Sequence, residues 1–334
     1  MKSFSALFIL VFLLWAAPAR ADFLAFPLLC EAGSNCFIIG YPDMDEAPDA
    51  AKDYACGPAT TEGDPFLRIG LSSVAAITLG IGVVAAEDGT VTDAKDGVED
   101  LVVADKSQLK KGTSNCGNGV VIDHGNGFRT AYCHMRKDSI RVQKGEAVHK
   151  GQIIGYAGQS GVALWPQLGF SIRKKGYTID PITNKSPVEG CGFKPRAYMA
   201  LPEAFREYQP AAIVNIGFAD APQTAMPVAV GKALRLSRIH PSSTNITLWG
   251  MIVGAKAGDE INAKMRDPKG RVFQSQDVVL DKDKPRQLIN INRPRGYAYW
   301  SEGLYSGEIT LTRTIDGRPY TVRRAVSVEV GATD

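Results

Sequence analysis

From Val142 to Phe170 the chain reads VQKGEAVHKGQIIGYAGQSGVALWPQLGF. Gly145, Gly151, Gly155 and Gly158 recur every few residues, with Val142, Val148, Ile153 and Ile154 between them. Glycine reaches φ > 0 without steric cost and so marks tight turns. Valine and isoleucine suit pleated, half-buried strands. The stretch therefore predicts short strands joined by sharp turns.

Two further stretches extend that pattern. Residues 115–135, NCGNGVVIDHGNGFRTAYCHM, place two β-prone runs around His124-Gly125-Asn126-Gly127. Asn-Gly is the strongest short hairpin signal. If the strands pair around that turn, Cys116 and Cys133 fall nearly opposite each other, within the Cα separation a disulfide requires. Upstream, Val83 to Ala86, then Glu87-Asp88-Gly89, then Thr90-Val91 also predict a hairpin.

The first residues, MKSFSALFILVFLLWAAPARA, combine Lys2, an apolar run from Leu7 to Trp15 and a small-x-small ending at Ala19-Arg20-Ala21. This is the pattern of a secretory signal peptide cut after Ala21. The run is too short to span a bilayer comfortably, and no later stretch is apolar enough, so no membrane span is expected in the mature chain. About 310 residues remain, enough for two domains of ordinary size. Removing Lys2 and Arg20 takes the formal charge from +3 to +1, which gives no argument for nucleic acid. The six cysteines, Cys30, Cys36, Cys56, Cys116, Cys133 and Cys191, form an even set with no C-x-x-C pair. In an exported chain they read as disulfides. The spacing of Cys30 and Cys36 allows a small local loop, so Cys30–Cys36 with Cys56–Cys191 is the expectation for the other four, whose connectivity the sequence leaves open.

Residues 160–170, SGVALWPQLGF, and Tyr132-Cys133-His134-Met135 carry a resemblance. The chain resembles the LytM/lysostaphin-type zinc endopeptidases, which cut peptidoglycan cross-links, over about residues 56–196. That family reads S-G-x-x-x-x-P-H-L-H-F where this chain has SGVALWPQLGF, and Y-x-H-L where it has YCHM. The VVAAEDGTV run and Asp180-Pro181 match as well. The resemblance implies an all-β fold, the family's duplicated hybrid motif. It also implies a zinc site with ligands from H-x-x-x-D and the second His of H-x-H. Carried over, those ligands become Asp64, Arg68 and Gly169, while the assisting histidines become Gln167 and His134. A shifted alignment puts Arg68 and Ser72 at the first pair instead. A guanidinium is always charged and cannot ligate a cation, and glycine offers no side chain. A catalytic zinc needs three protein ligands and an open position. The expectation is a degenerate site with no catalytic residue and no metal, in which Asp64 and Arg68 pair with each other. Asp64, Arg68, His134, Gln167 and Gly169 would then line a binding cleft.

The remaining histidines read as structural: His124 at a hairpin tip, His149 in a solvated turn, His240 before Pro241. Arg173-Lys174-Lys175, Lys110-Lys111 and Arg136-Lys137 read as solvated faces. Leu201 to Tyr208 predicts a short helix. Beyond residue 211, short β-prone runs separated by turns such as Asp267-Pro268-Lys269-Gly270 suggest a β-sandwich of immunoglobulin-like shape. The expected organisation is a signal peptide (1–21), an irregular disulfide-held segment (22–55), the LytM-like domain (56–196), a linker (197–210) and the sandwich (211–334). The expected role is that of a periplasmic or secreted envelope protein that binds peptidoglycan or a cell-wall hydrolase and regulates it without cutting. A peptidoglycan endopeptidase with an atypical zinc site and a purely structural envelope protein are the alternatives.

Overall fold

The computed structural model describes residues 24–102, 106–108, 114–196 and 198–332. The signal-peptide segment and Lys110-Lys111 lie outside them. The described chain is mostly β, in two parts. The first contributes β1 (Cys36–Gly40), β2 (Leu67–Leu71), β3 (Gly82–Val84), β4 (Gly89–Lys95) and β5 (Asn118–Asp123). It continues with β6 (Phe128–Met135), β7 (Ala147–Val148), β8 (Ile153–Tyr156), β9 (Gln167–Lys174) and β10 (Tyr177–Ile179). An eight-stranded sheet runs β1-β2-β9-β6-β5-β4-β7, with β10 added to β9, and β3-β8 form a separate pair.

The β5–β6 hairpin turns at Gly125, Asn126 and Gly127, all three with positive φ. Its register slips between Asn118 and Val120, which leaves an extra residue on β6. A bulge of this kind bends the strand and re-aims a side chain. Here the affected end of β6 holds His134, whose φ is 64°. Disulfides join Cys116–Cys133, Cys30–Cys36 and Cys56–Cys191.

Three expectations are corrected. Val83 to Val91 is not a hairpin, because β3 pairs with β8 while β4 pairs with β5 and β7. The chain crosses between sheets at Ala85 and Ala86, both fully buried. There Ala85 N donates to Gln152 O and Ala86 N to Tyr132 Oη. The segment before residue 56 is not wholly irregular, since β1 is the edge strand of the large sheet. Leu201 to Tyr208 holds one 3-10 turn, Glu203–Phe205, instead of a helix.

At the end of the sheet Asp180 is fully buried. Its Oδ1 accepts from Ile182 N, Thr183 N and Thr183 Oγ1. Its Oδ2 is buried without a hydrogen-bond partner among the described residues, and burial pushes the carboxyl up to about 6.

The second part contains β11 (Ala212–Ala219), β12 (Arg238–Ile239), β13 (Asn245–Ala255) and β14 (Glu260–Arg266). It ends with β15 (Val272–Val279), β16 (Lys284–Pro294), β17 (Gly303–Ile315) and β18 (Arg318–Val330). Sheets β11-β13-β16 and β12-β18-β17-β14-β15 bury one shared core, including Phe218, Leu248, Ile291, Ile309 and Leu311. The two parts are continuous. Phe37 and Trp165 of the first pack with Val214, Trp249 and Met251 of the second. Arg324 lies 4.8 Å over the Phe37 ring and donates to Ile213 O and Ser34 O. Tyr208 donates to buried Asp53 and stacks on Tyr41.

Candidate functional site

Strand pairing sets the site. Gly169 of β9 lies between Arg68 of β2 and Cys133 of β6, so three adjacent strands bring Arg68, Gly169 and the His134 bulge together. Asp64 sits one turn before β2 and accepts Arg68 Nε at 2.5 Å and Phe66 N at 3.1 Å. Arg68 Nη1 lies 3.4 Å from His134 Nε2, and the guanidinium carbon lies 5.6 Å from the Phe66 ring centre.

The protonation of His134 follows from its neighbours. Its Nδ1 is 2.9 Å from Ser160 O, a carbonyl that only accepts, so Nδ1 carries the proton. Nε2 is then the acceptor that faces Arg68. Burial, and next the Arg68 charge, hold the imidazole neutral, with its pKa down at about 3. The folded pKa lies below the ordinary 6.5. This group therefore contributes stability above pH 6.5, and that contribution is lost as pH falls toward 3. Urea titrations on either side of pH 6.5 are expected to show the loss, and His134→Gln to remove that part of the slope. An unchanged slope in the variant would contradict the assignment. Asp180 acts with the opposite sign: raised to about 6, it favours the fold most at low pH and loses that contribution as pH rises through 6.

Gly169 is constrained by the same ring. A Cβ there would sit 3.1 Å from His134 Cδ2 and 3.4 Å from both His134 Nε2 and Phe66 Cδ1. Gln167, 3% exposed, pairs with Gly70 on β2 and donates its N–H to Gly158 O. Asp64, Arg68, His134 and Gln167 all line one cleft of about 700 Å³, beside Phe66 and Trp165. These residues do not fit a divalent cation. Asp64 Oδ2 and His134 Nε2 both face the Arg68 guanidinium, and Gly169 supplies no donor. Among the described residues no group of three or more His, Cys, Asp or Glu is placed to hold a metal ion.

The other histidines lie elsewhere. His124 bridges Asp88 O and Thr130 Oγ1, His149 is largely exposed, and His240 contacts Ser242 Oγ. Arg173-Lys174-Lys175 is exposed, as a solvated face requires. Sequence reasoning missed Phe66 beneath Arg68 and the Cys116 carbonyl that receives His134 N at 2.8 Å. The small residue at 169 was the available hint that another side chain fills its space.

Three adjacent strands thus floor a cleft that holds Asp64, Arg68 and His134. Residues 73–181 match the profile of peptidase family M23, and this part of the chain belongs to that LytM/lysostaphin-type family. The chain is 38% identical over 72 residues to the peptidoglycan DD-endopeptidase ShyA of Vibrio cholerae, covering 22% of this chain and 16% of that one. It is 28% identical over 116 residues to an uncharacterized metalloprotease of Haemophilus influenzae, covering 35% and 21%. The matches therefore span about a fifth or less of the length of these relatives. Lysostaphin from Staphylococcus simulans aligns over 81% of this chain and 85% of its own, at 14% identity and a TM-score of 0.30. No helix among the described residues is long and apolar enough to cross a membrane.

Proposed function

We propose that this M23-type domain binds and does not cut, and that it acts in the cell envelope on peptidoglycan or on a cell-wall hydrolase, regulating its activity. The second domain, read as an immunoglobulin-like sandwich, supports the same site. One observation carries the proposal: Arg68 donates to Asp64 and faces His134 Nε2, so a fixed cation holds the groups that a zinc ion would need. The named activity of the Vibrio relative supports peptidoglycan as the surface recognised. The three disulfides support an extracytoplasmic site of action.

Metal analysis of the chain, purified without chelators or added zinc, is expected to find far less than one equivalent. Incubation with purified peptidoglycan is expected to release no muropeptides. Near-stoichiometric zinc together with chelator-sensitive release would overturn the proposal. Gly169→His is expected to remain inactive and to lose stability, because its side chain must displace the His134 ring while Arg68 still repels a cation. Pull-down from envelope extract and sedimentation with purified peptidoglycan separate the two classes of partner.

A further inference from the structure

The first domain alone does not close the cleft. Beside Phe66 and Trp165 it is also lined by Val253, Gly254 and Lys256 around the end of β13, and by Asp283 and Pro285 around the start of β16, which form its second-domain wall. This wall is rigid. Gly254 has φ 78° and lies so close to β1 that a Cβ would sit 3.4 Å from Ile39 O. Arg313 fixes its backbone by donating to Gly254 O at 2.9 Å and to Pro210 O at 2.5 Å. Lys256 Nζ and Asp283 pair at 2.9 Å and offset each other's charge.

At the floor, the cation is the exposed member of the ion pair. The Arg68 side chain is 25% exposed and that of Asp64 only 4%. Nε and Nη1 face Asp64 and His134, so the guanidinium is held in place while Nη2 and the second N–H of Nη1 remain as donors. A preoriented guanidinium suits a carboxylate, with hydrogen bonds roughly twice as strong as neutral ones. Thr60, Thr61, Glu62 and Asn115 also line the cleft, but most of its exposed surface is apolar, which suits a ligand with a non-polar body.

We infer that the two domains together clasp the end of a short apolar peptide, whose free carboxylate is received by Arg68. This rests on the binding reading above and adds the charge of the ligand and the part played by the second domain. Because floor and wall are already fixed, little ordering cost falls on binding.

Calorimetric titration of the chain from Asp22 onward with acetyl-Leu-Ala-Ala, and with the same peptide amidated at its C-terminus, tests the inference. The acid is expected to bind at least tenfold more tightly than the amide. In Asp64→Asn/Arg68→Gln both charges leave together, so no unpaired ion is buried, and acid and amide are expected to bind alike. Pro285→Glu, an exposed change in the second-domain wall, is expected to weaken the acid at least fivefold. Equal affinity of acid and amide for the wild type, or binding of neither, overturns the carboxylate. An unchanged affinity in Pro285→Glu overturns the role of the wall. Sedimentation with purified peptidoglycan, run alongside, keeps the two readings apart. Co-sedimentation without a preference for the acid removes only this inference. Failure to co-sediment, with no hydrolase captured, removes the binding reading as well.

Discussion

Arg313→Met is expected to cost about 3–5 kcal/mol of stability, the range for breaking a buried ion pair from one side. Arg313 and Asp259 are 4% and 0% exposed. Nε and Nη2 of Arg313 each donate to the Asp259 carboxylate at 2.7 Å. Removing the guanidinium leaves a buried carboxylate, and it also takes the donors from Pro210 O and Gly254 O. Changing both partners to apolar residues is expected to recover only part of the loss, because those two carbonyls would still lack a donor. Denaturant unfolding of the single and double variants reads this directly. For contrast, breaking the surface pair Lys185–Glu189 is expected to cost only a small fraction of that. A loss of that size for Arg313→Met would show that the pair is not what holds the linker and the cleft wall.

The second large effect belongs to Cys56–Cys191, which closes a loop over a sequence separation of 135. In the chain-entropy treatment, a loop of that length gives about 5 kcal/mol. Cys116–Cys133, with a separation of 17, gives about 3 kcal/mol, and Cys30–Cys36, with a separation of 6, about 2 kcal/mol. Paired substitution by alanine, followed by denaturant unfolding, is expected to return that order. The smallest loss from Cys56→Ala/Cys191→Ala would mean that the unfolded chain is already compact there. Cys116→Ala/Cys133→Ala should add an effect the other pairs lack, a His134 that is no longer held beneath Arg68.

Local signals were the legible part of this chain. Asn126-Gly127 demands positive φ, and the β-prone runs on either side fold back upon it. That turn is enough to set Cys116 against Cys133. The opposite charges of Asp64 and Arg68 at the family's ligand positions likewise make an ion pair the expectation, and the two side chains meet. Partner choice was not legible. Val83 to Val91 looks like a hairpin because a turn signal reports that the chain bends, not which sheet receives each strand. Ala85 and Ala86 fill the narrow space between layers, and nothing in an Ala-Ala pair says so. The far wall of the cleft was hidden for a stronger reason. Val253 and Pro285 stand near Phe66 only because Phe37, Trp165 and Trp249 pack across the junction, and no periodicity in either half encodes that meeting.

The Arg68 guanidinium at the cleft floor also bears on supply. A bound ion is a shared resource: it can be taken by a competitor, exchanged for a tighter-binding metal, or leached by acid. A side chain is made with the polypeptide and is present in every copy from the moment of folding. If this domain binds as proposed, its cleft needs no metal to be loaded first, and its occupancy follows the concentration of the ligand. On the binding reading proposed above, metal starvation would leave the capacity of such a domain unchanged.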